Sequence, residues 1–131
     1  MKSIPTILPI YAAIFAIFFV VLSIRIILKR NSLKISLGDA GNKEMQRAIR
    51  VHANFAEYVP LCLLMIYLVE QSGVYPWFTH LMCMGLLFGR VSRAYGVSQS
   101  RENFVYRITG MVLTFTVLIA SATHLLWVAI K

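Results

Sequence analysis

The stretch Gln46-Arg47-Ala48-Ile49-Arg50-Val51-His52-Ala53-Asn54-Phe55-Ala56-Glu57-Tyr58-Val59-Pro60 passes directly into Leu61-Cys62-Leu63-Leu64-Met65-Ile66-Tyr67-Leu68-Val69. The second half is apolar enough to enter a bilayer, so the first half takes charged and amide side chains toward a membrane. A charge at the bilayer centre costs at least about 2.5–3.5 kcal/mol, and such groups usually face a bundle interior or a wet cavity. At about 100° per residue, Arg50, Glu57, Leu61, Asn54, Arg47 and Tyr58 fall at roughly 0°, −20°, 20°, 40°, 60° and 80°. They form a polar stripe along one helix face.

The rest of the chain supports a membrane setting. It has 131 residues, enough for one domain, is 59% hydrophobic and only 14% charged, and has a mean hydropathy of +0.73. Several apolar runs reach the ~17–25 residues needed to cross a bilayer. A soluble bundle of this size would need polar outer faces that these helices lack. The net charge of +8 does not point to nucleic acid, because the basic residues cluster at helix ends and are not interleaved with exposed aromatics. Cys62 and Cys83 both lie in apolar runs and read as small buried hydrophobes. No Cys-x-x-Cys or His-Glu-x-x-His spacing occurs, so no metal site is expected. Met1-Lys2-Ser3 resembles the start of a signal peptide. The apolar run after it is too long for a signal core and has no small-residue cleavage site, so a retained first helix is expected.

Periodicity and turn residues predict helices over residues 5–29, 44–70, 77–95 and 103–130. Pro5 or Pro9 suits the first turns of helix one. Gly38-Asp39-Ala40-Gly41-Asn42 reads as a loop, and Pro60 as a kink in helix two. Gly85 and Gly89 have the spacing that lets membrane helices approach closely. The expected fold is an all-α integral membrane protein, a single four-helix transmembrane bundle.

Arg25, Lys29, Arg30, Lys34, Lys43, Arg47, Arg50, Arg90, Arg93, Arg101 and Arg107 lie near the first and third loops, against Lys2 and Lys131 on the other side. This asymmetry predicts that both loops are cytoplasmic and both termini are on the opposite side. Trp77, Trp127, Tyr75 and Tyr11 gather near the opposite end, as an interfacial aromatic belt does.

Arginines from three helices then share one membrane level with Glu57. Guanidinium groups match carboxylates bidentately, so the cluster reads as an anion site, and the single carboxylate as a counter-ion or a partner for a ligand amine. A cation beside a ligand thiol would favour the thiolate. Plainer readings exist for several of these residues. Arg90 and Arg93 can snorkel to the headgroups, and Arg50 and Glu57 can form an internal ion pair. His52, roughly 200° from Arg50 on the helix, reads as an interhelical hydrogen-bond partner. His80 and His124 read as interfacial. Asn54 favours a site, since an ion pair does not require it.

Arg50-x-His52-x-Asn54-x-x-Glu57-x-x-Pro60, in the second of four membrane helices, resembles the MAPEG superfamily, the membrane-associated proteins in eicosanoid and glutathione metabolism. Gly38-Asp39-Ala40-Gly41 and the segment from Arg101 to Met111 resemble its bacterial members. The resemblance implies a homotrimer in an inner membrane, with active sites between subunits opening to the cytoplasm. It implies glutathione as co-substrate, a hydrophobic small molecule as the second substrate, and a transferase or peroxidase activity in detoxification. Arg50, Asn54, Glu57 and Tyr58 match glutathione-contacting positions, and Arg90 matches a family arginine. Arg93 falls where relatives place a Tyr or His contact. Arg107 resembles the arginine that stabilises the thiolate, with Arg101 as the alternative.

Two positions depart from the pattern. A second family arginine falls at Asn31, beside an intact Arg30. A helix-three tyrosine falls at Val97, with Tyr95 two residues away. These departures weigh against the leukotriene- and prostaglandin-specific reactions and leave a non-catalytic MAPEG-like binding protein as the runner-up. A four-helix multidrug transporter, whose membrane glutamate would bind cations without a crowd of arginines, and a purely structural bundle are the remaining alternatives.

Overall fold

A computed structural model describes residues 5–101 and 103–131; Lys2 of the charge comparison and the Met1-Lys2-Ser3 start lie outside the described residues. The architecture is an up-down-up-down bundle of four helices: α1 (Leu8–Leu33), α2 (Lys43–Gln71), α3 (Pro76–Ser98) and α4 (Phe104–Ile130). No strand occurs among the described residues. α2, α3 and α4 pack as a triangle, with α3 and α4 in closest contact, and α1 leans on α2 and more lightly on α3.

Local chemistry accounts for each helix boundary. Pro9 sits in the first turn of α1, where a missing N–H is harmless. The first backbone N–H groups there meet a carboxylate from another helix. Glu70 accepts from Thr6 and Ile7 through Oε1, at 3.0 and 2.9 Å, and from Leu8 through Oε2 at 3.0 Å. An acid at a helix N-terminus satisfies free donors and complements the helix dipole, so Glu70 ties the end of α2 to the start of α1.

At its other end α1 runs on to Leu33, past the expected 29, and closes on Lys34 in the left-handed region. The following loop turns through Gly38, Ala40 and Gly41, all at positive φ. Arg30 pins it by donating to the Gly38 carbonyl at 2.9 Å. Asn42 then caps α2, accepting from the N–H groups of Glu44 and Met45 at 2.9 and 3.0 Å. α2 passes through Pro60 as one helix, with Pro60 on its exposed side. Asn103 caps α4 through Val105 N–H at 3.1 Å.

Three helices, α1, α2 and α4, are long and apolar enough to cross a membrane. The expected fourth span, α3, is not among them, and its sequence contains the reason. Arg90 and Arg93 lie within it, and both are buried against neighbouring helices. α3 keeps an exposed apolar face, with Leu81, Phe88 and Val91 outward, and turns its two arginines inward against α2 and α4.

Large apolar side chains cover the outside of the bundle, among them Ile10, Ile17, Val21, Leu64, Leu81, Phe88, Ile108 and Ile119. That surface suits hydrocarbon, not water. Inside, Phe15, Leu22, Val51, Phe55, Val59, Cys62, Ile66, Met82, Cys83 and Leu86 form one continuous core. Cys62 and Cys83 are free thiols within it.

The two ends differ sharply. Arg25 donates to Ser98 Oγ at 2.7 Å, and Lys29 pairs with Glu44 at 3.1 Å, which places the ends of α1 and α3 and the start of α2 together. The other end holds Tyr11 against His80 and Ser72 against His124, with Trp77 and Trp127 exposed beside them.

Candidate functional site: an arginine cavity beside a buried arginine pair

The polar stripe of α2 splits when the bundle forms. Asn54 turns into the triangle of α2, α3 and α4, where it is 3% exposed, while Arg50 and Glu57 remain on the outer surface. They do not pair with each other: among the described residues the one ion pair is Lys29–Glu44. His52 does bridge helices as expected, meeting Ser23 Oγ at 3.0 Å and stacking on Phe19 with ring centroids 4.7 Å apart.

Inside the triangle, α3 contributes Arg90 and Arg93, which are 2% and 7% exposed. They do not snorkel. Arg90 Nη1 donates to Asn54 Oδ1 at 2.8 Å and Arg93 Nε donates to the same oxygen at 2.9 Å. Arg90 Nη2 donates to the Thr114 hydroxyl, and reaches the Gly110 carbonyl at 3.3 Å and Met111 Sδ at 3.8 Å. Its guanidinium also lies over the Tyr58 ring, 5.7 Å from the centroid, where the π face favours a cation. Tyr58 in turn packs edge-on against Phe115.

Arg93 leads out of this interior. Its Nη1 reaches the Arg107 carbonyl at 3.4 Å. Beyond it opens a cavity of about 260 Å³ lined by Arg47, Arg50, Arg93 and Arg107, with Gln46, Ile49, Ala53 and Val97. α2 thus supplies two arginines, α3 one, and the first turn of α4 one. Four guanidinium groups around one cavity attract anions, and each offers a planar fork that fits a carboxylate.

The expected residues therefore divide into groups. Arg50, Arg93 and Arg107 share the cavity wall, and Arg47 and Gln46 join them. Asn54 and Arg90 form the buried support behind Arg93, with Tyr58 under Arg90. Glu57 stands apart on the outer face of α2, two turns further along. Arg101 lies exposed in the loop before α4, outside the cavity lining. Of the departing positions, Val97 lines the cavity, and Tyr95 packs against Tyr106 instead. Thr114 and the Gly110 carbonyl are parts of the site that the sequence reading missed. The signal available was the small and hydroxyl stripe Gly110, Thr114, Val117, Ser121 along the buried side of α4.

Comparisons with known proteins place the chain in a family. A sequence model of the MAPEG family matches residues 8–127. The chain belongs to the MAPEG family. Inner membrane protein YecN of Escherichia coli strain K12 is 30% identical over 118 residues, which cover 90% of this chain and 88% of the relative. The protein of that name from Escherichia coli O6:H1 strain CFT073 matches to the same extent. No solved structure matches the chain. The matched residues run from the start of α1 into the last turn of α4.

Proposed function

We propose that this protein is a membrane-bound glutathione-dependent transferase, with peroxidase chemistry open to it, that activates the glutathione thiol for attack on a hydrophobic electrophile. The observation that carries the reading is the set of four arginines, from three helices, around one cavity at the end of a membrane bundle. Glutathione brings two carboxylates, an amine and a thiol. A cluster of guanidinium groups with one carboxylate nearby complements that set.

Dimensions support the same assignment. Arg50 and Glu57 are seven residues apart on α2, a rise of about 10 Å along the helix. A tripeptide in extended form also spans about 10 Å. Glutathione laid along the outer face of α2 reaches from the arginine cavity to Glu57. In this arrangement Arg50 and Arg93 hold carboxylates, Glu57 takes the amine, and Arg107 stabilises the thiolate. Tyr58 and Arg90 back the site from inside. No metal enters the reaction.

The exposed position of Arg50 and Glu57 supports a site completed by a second copy of the chain, in a homotrimer. Left against lipid, a carboxylate midway along α2 would carry the penalty of a charge within the bilayer. The electrophile reaches the thiolate from the lipid side, where the bundle surface is apolar. The arginine-rich end, with loops one and three, is assigned to the cytoplasm and the aromatic end to the opposite side. An inner membrane location is assigned by analogy with the Escherichia coli relative, an inner membrane protein.

The test is ultraviolet absorbance of the thiolate on adding glutathione to detergent-purified protein, with Arg107→Ala as the comparison. A thiolate signal near neutral pH is expected, and Arg107→Ala should lower turnover by about 10²-fold or more while glutathione affinity changes far less. Equal turnover in the variant would remove Arg107 from this role. Binding without thiolate formation would assign the cavity to a non-catalytic binding protein, the reading favoured by Asn31 in place of an arginine. No binding at millimolar glutathione would overturn the proposal.

A further inference from the structure

Asn54 stands where the family resemblance expects a ligand contact, but its amide oxygen is committed to two arginines within the protein. Oδ1 accepts from Arg90 Nη1 and Arg93 Nε at 2.8 and 2.9 Å, and Nδ2 faces Met111 Sδ at 3.9 Å. The residue is buried and does not line the arginine cavity. Arg93 does line it. Its guanidinium therefore spans from Asn54, along its Nε edge, to the Arg107 carbonyl and the cavity wall along its Nη edge.

A carboxylate at position 54 would grip the same two arginines with stronger, charge-assisted bonds. Holding them in place does not by itself call for an amide. What an amide does differently is to supply an acceptor without a countercharge. The same is true of every acceptor of Arg90: the Asn54 oxygens, the Gly110 carbonyl, Met111 Sδ and the Thr114 hydroxyl are all neutral.

We infer that Asn54 is a positioning residue and not a ligand contact. It seats the Arg93 guanidinium in the wall of the arginine cavity, and being neutral it adds no countercharge beside an anionic ligand there. The identification of that ligand as glutathione rests on the function proposed above; the positioning role does not.

The experiment compares wild type, Asn54→Asp and Arg93→Gln as full-length protein in detergent. Three quantities are read: the unfolding midpoint without ligand, the affinity for inorganic sulfate at constant ionic strength, and the affinity for glutathione. Asn54→Asp should unfold at or above the wild-type temperature, because the new carboxylate bonds both guanidinium groups. It should nevertheless bind both anions at least about tenfold more weakly, as Arg93→Gln does, the equivalent of one charge-assisted contact. A role confined to packing would leave anion affinity intact in a variant that folds this well. Binding of both anions within about twofold of wild type by folded Asn54→Asp would overturn the inference.

Should Asn54→Asp fail to fold, Arg93→Lys keeps the charge and loses the Nε–H bond to Asn54. A tenfold loss of sulfate binding then supports the inference and an unchanged affinity overturns it. Wild-type protein that binds sulfate through Arg93 but not glutathione would sink the glutathione reading alone. Binding neither anion would sink both.

Discussion

Arg90 is a buried cation held by dipoles. A guanidinium away from water needs its donors met; here an amide oxygen, a main-chain carbonyl, a hydroxyl and a thioether serve the two Nη groups and the face of Tyr58 lies beneath, while the buried Nε has no hydrogen-bond partner among the described residues. Thr114 is the hinge of the arrangement, since its hydroxyl accepts from Arg90 and donates to the Gly110 carbonyl at 2.8 Å. Thr114→Val keeps the shape and removes the hydroxyl acceptor, leaving Arg90 Nη2 with only the longer contacts to the Gly110 carbonyl and Met111 Sδ. It should lower unfolding stability in detergent by about 1–3 kcal/mol. Thr116→Val is the matched control: its exposed hydroxyl bonds only the Val112 carbonyl of its own helix, and its effect should stay within about 0.5 kcal/mol. Equal losses from the two substitutions would mean that Arg90 does not need the Thr114 hydroxyl. Asn54 was legible in the sequence as a costly amide in a membrane helix. The partners it chose were not, because helical spacing states which residues share a face and not which face of α3 turns toward it.

The seam between α3 and α4 sets how deeply the arginines sit. A methyl group on Gly110 would fall 2.5 Å from the Gly89 carbonyl oxygen and 2.8 Å from Arg93 Cβ, both parts of the neighbouring helix. Gly96 is equally confined, with Tyr106 Cβ at 2.9 Å from an added carbon. Gly110→Ala therefore forces the helices apart, and overpacking of this kind costs about 1–3 kcal/mol. It should also weaken anion binding in the cavity, since Arg93 moves with α3. Gly85→Ala is the contrasting case, because its added carbon meets only Val117 Cγ2 at an ordinary 3.6 Å. It should be neutral or up to about 1 kcal/mol stabilising, through better helix propensity. Thermal unfolding of the two variants checks this, and a tolerated Gly110→Ala would show that the seam can open without loss. The Gly85–Gly89 spacing drew attention to the right helix, but only Gly89 lies at the close approach. Its partner Gly110 is far along the chain, and no local pattern couples the two.

At the scale of the whole molecule, one chain leaves Arg50 and Glu57 uncovered beside a broad apolar surface. Lipid is a poor neighbour for both. A second copy whose α2 or α4 covers this face would remove the penalty and enclose the ligand. Native mass spectrometry from a mild detergent should report three copies per particle. A particle of one chain that still binds glutathione would show that the cavity works without a partner and would remove the interfacial site from the proposal.

The sequence by itself determined the membrane setting, the helical class, the order of four helices and the end at which the cations gather. These follow from composition, run length and the cost of placing charge in hydrocarbon, which act along the chain and can be read along it. It also marked Arg50, Asn54, Glu57, Arg93 and Arg107 as residues of interest. Only the tertiary structure decided that α3 turns its arginines inward, that Asn54 faces two arginines and not the cavity, that Glu70 caps α1, and that Thr114 completes the setting of Arg90. Those outcomes depend on the rotation and separation of helices distant in sequence. Close contacts such as Gly89 against Gly110 set both quantities, and they arise only once the bundle has packed.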